Sequence, residues 1–141
     1  MIRPSKSSDV ERILSIWLEA SIQAHDFIEE SFWKAHIADM RDMYLPKAET
    51  YVFENEGSIK GFISLVGDTV AALFVSPYDQ GAGIGTQLLN RAKTLRQNLD
   101  LAVYKENRRS VGFYLRHGFI IERERIDGHT GHPELVMTFN S

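Results

Sequence analysis

Three glycines at alternate positions, Gly81, Gly83 and Gly85, lie between an apolar segment that ends at Val75 and an amphipathic segment that begins at Ile84. Glycine allows a sharp backbone turn and lets main-chain amides approach a ligand without a Cβ in the way. A helix that begins at this point also directs unpaired N–H groups and the positive end of its dipole outward. The segment therefore predicts a binding site for a phosphate or a pyrophosphate.

The spacing of these glycines does not fit two common nucleotide-binding loops. A P-loop ends in Gly-Lys followed by Ser or Thr, whereas here Thr86 and Gln87 follow Gly85. A dinucleotide-binding loop has its third glycine three residues after the second, and that position holds Thr86 or Leu88, depending on the pair chosen. A nucleotide enzyme of either kind is therefore disfavoured, and the simplest alternative to a ligand site is a tight turn between a strand and a helix.

Two segments of the chain resemble one protein family. Residues 80–85, with the sequence QGAGIG, resemble the acyl-CoA pyrophosphate loop of the GCN5-related N-acetyltransferase (GNAT) family, whose pattern is Gln/Arg-x-x-Gly-x-Gly/Ala. Residues 107–119 resemble the family's Asn-x-x-Ala/Ser-x-x-Phe-Tyr-x-x-x-Gly-Phe motif, and they follow the glycine loop after one predicted helix and one predicted strand. Because both segments occur in the family's order, the chain is identified as a member, with one acetyltransferase domain over residues 1–141.

The hydrophobic pattern predicts the order β-α-α-β-β-β-α-β-α-β-β. Helices are predicted over residues 10–20, 33–44, 84–96 and 109–117, the second of them ending before Pro46. Strands are predicted over residues 50–54, 59–66, 69–75, 99–103, 119–125 and 134–139, after a short edge strand at residues 2–4. The resemblance implies an α/β (α+β) fold with a mixed, mostly antiparallel central sheet, helices on both faces, and parallel fourth and fifth strands that splay apart.

The resemblance implies acetyl-CoA as the cosubstrate and assigns its contacts to the matching positions. The pantetheine arm would lie between the splayed strands and pair with the edge of the fourth strand. Asn107 could cap the following helix or bind the ligand, and Ser110 is small enough to permit a close approach. The implied cofactor-binding residues are Phe74, Val75, Gln80, Gly81, Ala82, Gly83, Ile84, Gly85, Thr86, Asn107, Ser110 and Tyr114.

The resemblance also implies direct transfer of the acetyl group within a ternary complex. Tyr114 matches the position of the family's general acid, which would protonate the departing thiolate. Many relatives carry a glutamate base five residues before the motif asparagine, and this position holds Ala102 here. The catalytic set is predicted as Tyr114, Asn107 and His25, and the candidates for another base are His25, Asp26, Glu29, Tyr104 and a water relay.

The acceptor site is predicted around His25, Phe27 and Tyr104, because the region after the first helix lines the acceptor cleft in this family. The segment His25-Asp26-Phe27 resembles a His-x-Phe segment of some small bacterial members; alternatively, His25 caps the helix end and Phe27 fills the core. The acceptor is left open between a protein lysine, a protein N-terminus and a small-molecule amine. The alternative function is a module that binds acyl-CoA without catalysis, which Ala102 favours and Tyr114 disfavours.

Composition restricts the remaining possibilities. The 141 residues carry a formal net charge of −3, which argues against nucleic acid as a partner. The absence of cysteine excludes disulfides, thiolate metal sites and a cysteine-acyl intermediate. His129 and His132 lack further ligands nearby, so no metal is expected, and their loop is predicted to be a mobile flap beside the acceptor cleft. No apolar stretch or signal pattern predicts a membrane association, and a cytoplasmic monomer or homodimer is expected.

Overall fold

A computed structural model describes all 141 residues of the chain. The strands are β1 (Ile2–Pro4), β2 (Glu49–Asn55), β3 (Ser58–Val66), β4 (Thr69–Val75), β5 (Asn98–Tyr104), β6 (Ile120–Ile126) and β7 (Pro133–Asn140). The helices are α1 (Val10–Ala24), α2 (Glu30–Ala35), α3 (Ile37–Asp39), α4 (Ile84–Leu95) and α5 (Arg108–Arg116). All strands belong to one sheet with the order β1-β2-β3-β4-β5-β7-β6. None of the helices is both long and apolar enough to cross a membrane.

Neighbouring strands of the sheet are antiparallel except β4 and β5, which run parallel. These two strands pair only near their beginnings, where Thr69 lies opposite Asp100. Beyond that point they diverge, and the last residues of β4 line open cavities instead of pairing with β5. The predicted mixed sheet with splayed parallel strands is therefore confirmed.

Helices cover both faces of the sheet because each carries an apolar stripe at helical spacing. On one face, Ile84, Leu88 and Leu89 of α4 pack with Leu99 and Leu101 of β5 in the larger core cluster. On the other face, Ile13, Ile16 and Trp17 of α1 and Trp33 of α2 pack over Val52 of β2, Phe62 of β3 and Ala72 of β4. This second helical layer does not reach the neighbouring part of the same face, where Ala102 of β5 is exposed.

The segment predicted as one helix over residues 33–44 is interrupted. α2 ends at Ala35, and after α3 the chain forms a π-helical turn, Met40–Tyr44, and a 3-10 turn, Leu45–Lys47. The single-helix prediction was wrong, because α2 already ends at Ala35, well before Pro46. Pro46, which has no N–H to donate, accounts only for the irregular last turn. The π-helical turn also shifts side chains out of the buried stripe, and Met43 and Tyr44 are about half exposed.

Candidate active site

The glycine loop turns sharply between β4 and α4. Gly81 and Gly83 have φ angles of 85° and 81°, in the left-handed region that residues with side chains rarely adopt. Gly83 directly precedes α4, and no side chain caps the N–H groups of the first turn of that helix. A Cβ added at either glycine would have no protein atom within 4 Å, so the space in front of the loop is open.

A cavity of about 610 Å³, here called the loop cavity, opens in front of this loop. Its walls contain most of the loop residues, namely Gln80, Gly81, Gly83, Ile84, Gly85 and Thr86. The wall formed by α5 adds three guanidinium groups, those of Arg108, Arg109 and Arg116. Unpaired amides and guanidinium groups bind anions, so the loop cavity is suited to a pyrophosphate.

Gln80 fixes the loop to the elements on either side of it. Its Nε2 donates to the carbonyl oxygen of Val75 at 3.2 Å, and its Oε1 accepts from Nη1 of Arg109 at 3.2 Å. These bonds join the end of β4 to α5 through the loop. Ala82 is exposed and does not line the loop cavity, whereas all the other predicted cofactor-binding residues do.

A second cavity of about 540 Å³, here called the aromatic cleft, lies beside the first. Its aromatic lining comes mainly from α1, α2 and β5, and includes Trp17, His25, Phe32, Trp33, His36 and Tyr104. Both cavities are lined by the same five residues where β4 and β5 diverge: Leu73, Phe74, Asn107, Ser110 and Tyr114. A molecule in the loop cavity and a molecule in the aromatic cleft would therefore meet at these residues.

Tyr114 lies at this junction with its ring anchored in the core. The centroids of the Phe113 and Phe119 rings lie 5.3 and 5.4 Å from that of Tyr114. Burial raises the pKa of the Tyr114 hydroxyl above its ordinary value, and no hydrogen bond within the protein contributes to that shift. A phenol that stays protonated and has no partner in the protein can donate a hydrogen bond to a ligand.

His25 is buried at the end of α1, and both of its ring nitrogens have partners. Its Nδ1–H donates to the carbonyl oxygen of Ser21 at 2.9 Å, which leaves Nε2 as an acceptor 3.4 Å from Nδ2 of Asn107. Asn107 in turn caps α5, because its Oδ1 accepts from the N–H of Ser110 at 3.3 Å. Burial lowers the pKa of His25 and favours the neutral ring. This geometry suits the positioning of α5 better than the predicted role as a base.

Tyr104 faces the aromatic cleft and is tied to the turn between β6 and β7. Its hydroxyl donates to Oδ2 of Asp127 at 2.6 Å, and the Thr130 hydroxyl donates to the same oxygen at 2.9 Å. Burial and the bond to Asp127 raise the pKa of Tyr104. Burial alone would raise the pKa of Asp127, but these hydrogen bonds hold it below its ordinary value. The segment predicted to be a mobile flap is thus hydrogen-bonded to β5.

Phe27 packs behind the aromatic cleft and does not line it. Its ring centroid lies 5.7 Å from those of His25 and Tyr104 and 5.0 Å from that of His132. Phe27 therefore supports two of the predicted acceptor residues from behind. Those two residues, His25 and Tyr104, do line the cleft.

The cleft holds no carboxylate at the position where many GNAT members have a base. Ala102 lines the cleft there, and neither Asp26 nor Glu29 is part of its wall. The carboxylates that do line it, Asp127 and Glu134, were not found from the sequence.

The pairing of β5 with β7 explains why Glu134 reaches the cleft. Glu134 lies directly opposite Tyr104 in this antiparallel pair, so the two side chains share one face of the sheet. Its Oε1 accepts from Nε of Arg125 on β6 at 2.6 Å. Alternation along the last strand could have placed Glu134 on this face, but the register with β5 was needed to bring it to Tyr104.

Comparison with known proteins gives consistent matches, by a family model over part of the chain and by relatives over most of it. A family model described as "Acetyltransferase (GNAT) domain" matches residues 46–121. The peptidyl-lysine N-acetyltransferase YiaC of Escherichia coli is 34% identical over 140 residues, which cover 99% of this chain and 96% of that protein. The peptidyl-lysine N-acetyltransferase YjaB of Salmonella typhimurium is 32% identical over 128 residues, which cover 89% of this chain and 88% of that protein.

Solved structures have the same fold. The solution structure of apo-form YjaB from Escherichia coli superposes with a TM-score of 0.87 at 29% identity and covers 99% of this chain and 96% of its own. The PaiA N-acetyltransferase from Thermoplasma acidophilum, solved in complex with coenzyme A, superposes with a TM-score of 0.85 at 18% identity and covers 100% of this chain and 98% of its own. At that lower identity the likeness concerns the fold alone.

Proposed function

This chain belongs to the GNAT family of acetyltransferases, and we propose that it transfers an acetyl group from acetyl-CoA to the side-chain amine of a peptidyl lysine. The names of its relatives YiaC and YjaB support the peptidyl-lysine acceptor. The coenzyme A complex of the similarly folded PaiA supports acetyl-CoA as the cosubstrate. The observation that carries the proposal is the unpartnered Tyr114 hydroxyl in the wall shared by the loop cavity and the aromatic cleft.

In this proposal, acetyl-CoA occupies the loop cavity. The amides from Gly81 to Thr86 and the three arginines of α5 bind its phosphates. The pantetheine arm lies along the edge of β4 that β5 leaves unpaired, at Phe74 and Val75. The thioester then reaches Tyr114 from the side opposite to the acceptor amine.

The proposed reaction is a direct attack within the ternary complex. The neutral amine nitrogen bonds to the thioester carbonyl carbon, the carbon–sulfur bond breaks, and the amine loses a proton. The Tyr114 hydroxyl donates its proton to the departing thiolate and is reprotonated from solvent. His25 is assigned a positioning role, since it holds Asn107 at the beginning of the helix that carries Tyr114.

The amine reaches its neutral form without a carboxylate at position 102. The ordinary pKa of lysine, near 10.4, lies about three pH units above cellular pH, so that forming the neutral amine costs about 4 kcal/mol. The cleft carboxylates Asp127 and Glu134 are already hydrogen-bonded to Tyr104 and Arg125. We therefore assign the deprotonation to solvent water in the cleft.

The test uses purified protein, acetyl-CoA and a peptide with a single lysine, compared with the same peptide carrying arginine instead. Thiol release that requires the lysine, together with an acetyl-lysine product seen by mass spectrometry, is the expected result. Binding of acetyl-CoA with no product from any amine in a panel of lysine peptides, N-terminal amines and small amines would instead favour the non-catalytic binding module.

A further inference from the structure

The outer part of the aromatic cleft carries a group of apolar side chains that the proposed reaction does not use. We call this part the outer groove; it is lined by Met40, Met43, Tyr44, Leu45, Val66 and Val70. Met43, Tyr44 and Val66 are 51%, 55% and 47% exposed, respectively. Large apolar side chains clustered at the rim of a cavity are typical of a surface that binds a partner.

The outer groove owes its shape to the interrupted helix. The π-helical turn Met40–Tyr44 directs Met40 into the core and leaves Met43 and Tyr44 facing solvent. π-helical turns occur frequently at functional sites. A regular helix over the same residues would have put Tyr44 on the buried stripe and removed it from the rim.

The groove is continuous with the place where the amine would react. One cavity extends from Tyr114 and Phe74 to Val70 and Val66. Phe74 and Val70 are four residues apart on β4, which corresponds to about 13 Å along the strand. An extended peptide advances by about 3.3–3.6 Å per residue, so a residue two to four positions from the acetylated lysine can reach the groove.

The charged residues of the aromatic cleft differ between its inner and outer ends. Its carboxylates, Asp127 and Glu134, belong to the inner end with Tyr104. Lys47 is the only lysine that lines the aromatic cleft, and no arginine lines it. Lys47 follows the π-helical turn at the outer end. The inner end therefore suits a basic amine, whereas the outer end suits an apolar residue and disfavours a second basic one.

We propose that the outer groove binds an apolar side chain of the acceptor polypeptide, two to four residues from the lysine that is acetylated. This inference rests on the proposed function and names the sequence context that the enzyme selects. Met43 and Tyr44 determine the preference, and neither of them contacts the reacting atoms.

The test is a peptide series with one lysine in a Gly/Ala background and a Leu, Ala or Arg at each position up to four residues on either side. At one or more positions two to four residues away, Leu should exceed Ala by about tenfold or more in kcat/KM, mainly through KM, and Arg should be the poorest. The double variant Met43→Ser/Tyr44→Ser should abolish the preference and leave kcat/KM for the all-Ala peptide within about twofold. The matched control is Ile120→Ser, which removes an exposed apolar residue of β6 outside both cavities and should keep the preference.

Three other outcomes would overturn the inference in distinguishable ways. Acetylation of lysine at equal rates in all peptides would refute the groove's role and leave the proposed function intact. Tight acetyl-CoA binding without acetylation of any peptide would refute both. Dimers of the wild-type chain in sedimentation that become monomers in the Met43→Ser/Tyr44→Ser variant would show that a second copy covers the groove.

Discussion

The imidazole of His25 and the side-chain amide of Asn107, 82 residues apart in the chain, face each other across 3.4 Å. The Nδ1–H of His25 is held by Ser21, and the Oδ1 of Asn107 caps α5. The pair therefore joins the end of α1 to the beginning of the helix that carries Tyr114. A buried contact of this kind fixes the distance between the acceptor side and the cofactor side of the proposed site.

His25→Gln should weaken the dependence of stability on pH. The unfolded chain binds a proton on His25 near its ordinary pKa of about 6.5, whereas burial lowers the pKa in the folded protein. The contribution of His25 to stability is thus complete above about pH 6.5 and is lost progressively as the pH falls from that value to the lowered pKa of the folded state. Thermal unfolding between pH 5 and 8 measures this loss, which should be smaller in His25→Gln and unchanged in Tyr114→Phe.

The same variant separates positioning from proton abstraction. If His25 positions Asn107, kcat should fall while the shape of the kcat/KM profile against pH is retained. If His25 is the base, a limb near pH 6.5 should be present in the wild type and absent from the variant. The second result would contradict the positioning role.

Tyr114→Phe should lower kcat by about 10²–10⁴-fold, the usual contribution of a general acid. The ring remains, so its contacts with Phe113 and Phe119 and the thermal stability should be retained. Affinity for acetyl-CoA, measured by calorimetry, should change little, because the loss belongs to the transition state. A variant with wild-type kcat would show that water or another group protonates the thiolate.

Gly83→Val should reduce the affinity for acetyl-CoA by more than tenfold. The φ angle of 81° strains a side-chain-bearing residue by about 1–2 kcal/mol, and the new side chain would enter the open space where the phosphates are proposed to bind. Gly57→Val is the matched control. Its φ angle of 75° imposes a similar strain in the turn between β2 and β3, away from the loop cavity. Calorimetry should show a loss of acetyl-CoA affinity in Gly83→Val but not in Gly57→Val. Equal affinities of the two variants would show that the loop is not part of the binding site.

For a lysine peptide, kcat/KM should rise from pH 6 to 9, because the amine must lose its own proton to solvent. Ala102→Glu would place a carboxylate on the exposed cleft face of β5 and should raise kcat/KM at pH 7 by about tenfold or more while flattening the profile. Ala102→Gln is the matched control: glutamine has nearly the same shape as glutamate but no charge, so it should neither raise kcat/KM nor flatten the pH profile. A flat profile in the wild type would point to a base within the protein.

Local sequence determined much of this molecule. The alternate glycines, the apolar run before them and the stripe after them specify a strand, a loop and a helix in succession, since each depends on backbone freedom and side-chain spacing within a few residues. The segment from Asn107 to Phe119 likewise specifies a capped helix that stops before Gly118, and Tyr114 is carried on it. The sheet with splayed parallel strands was predicted through the resemblance that these two segments carry.

Tertiary structure decided which of the candidate residues meet. The partners of His25, Tyr104 and Glu134 are set by how α1 ends, how β5 pairs with β7 and where β4 leaves β5. A shift of one residue in the pairing of β5 with β7 would turn the paired side chains to the other face of the sheet, and no local sequence pattern reports that register. The interruption after Ala35 and the exposed rim at Met43 and Tyr44 could not be predicted for a related reason. The apolar spacing of that segment fits a regular helix, and only the packing of the whole chain replaces one of its turns with a π-helical turn.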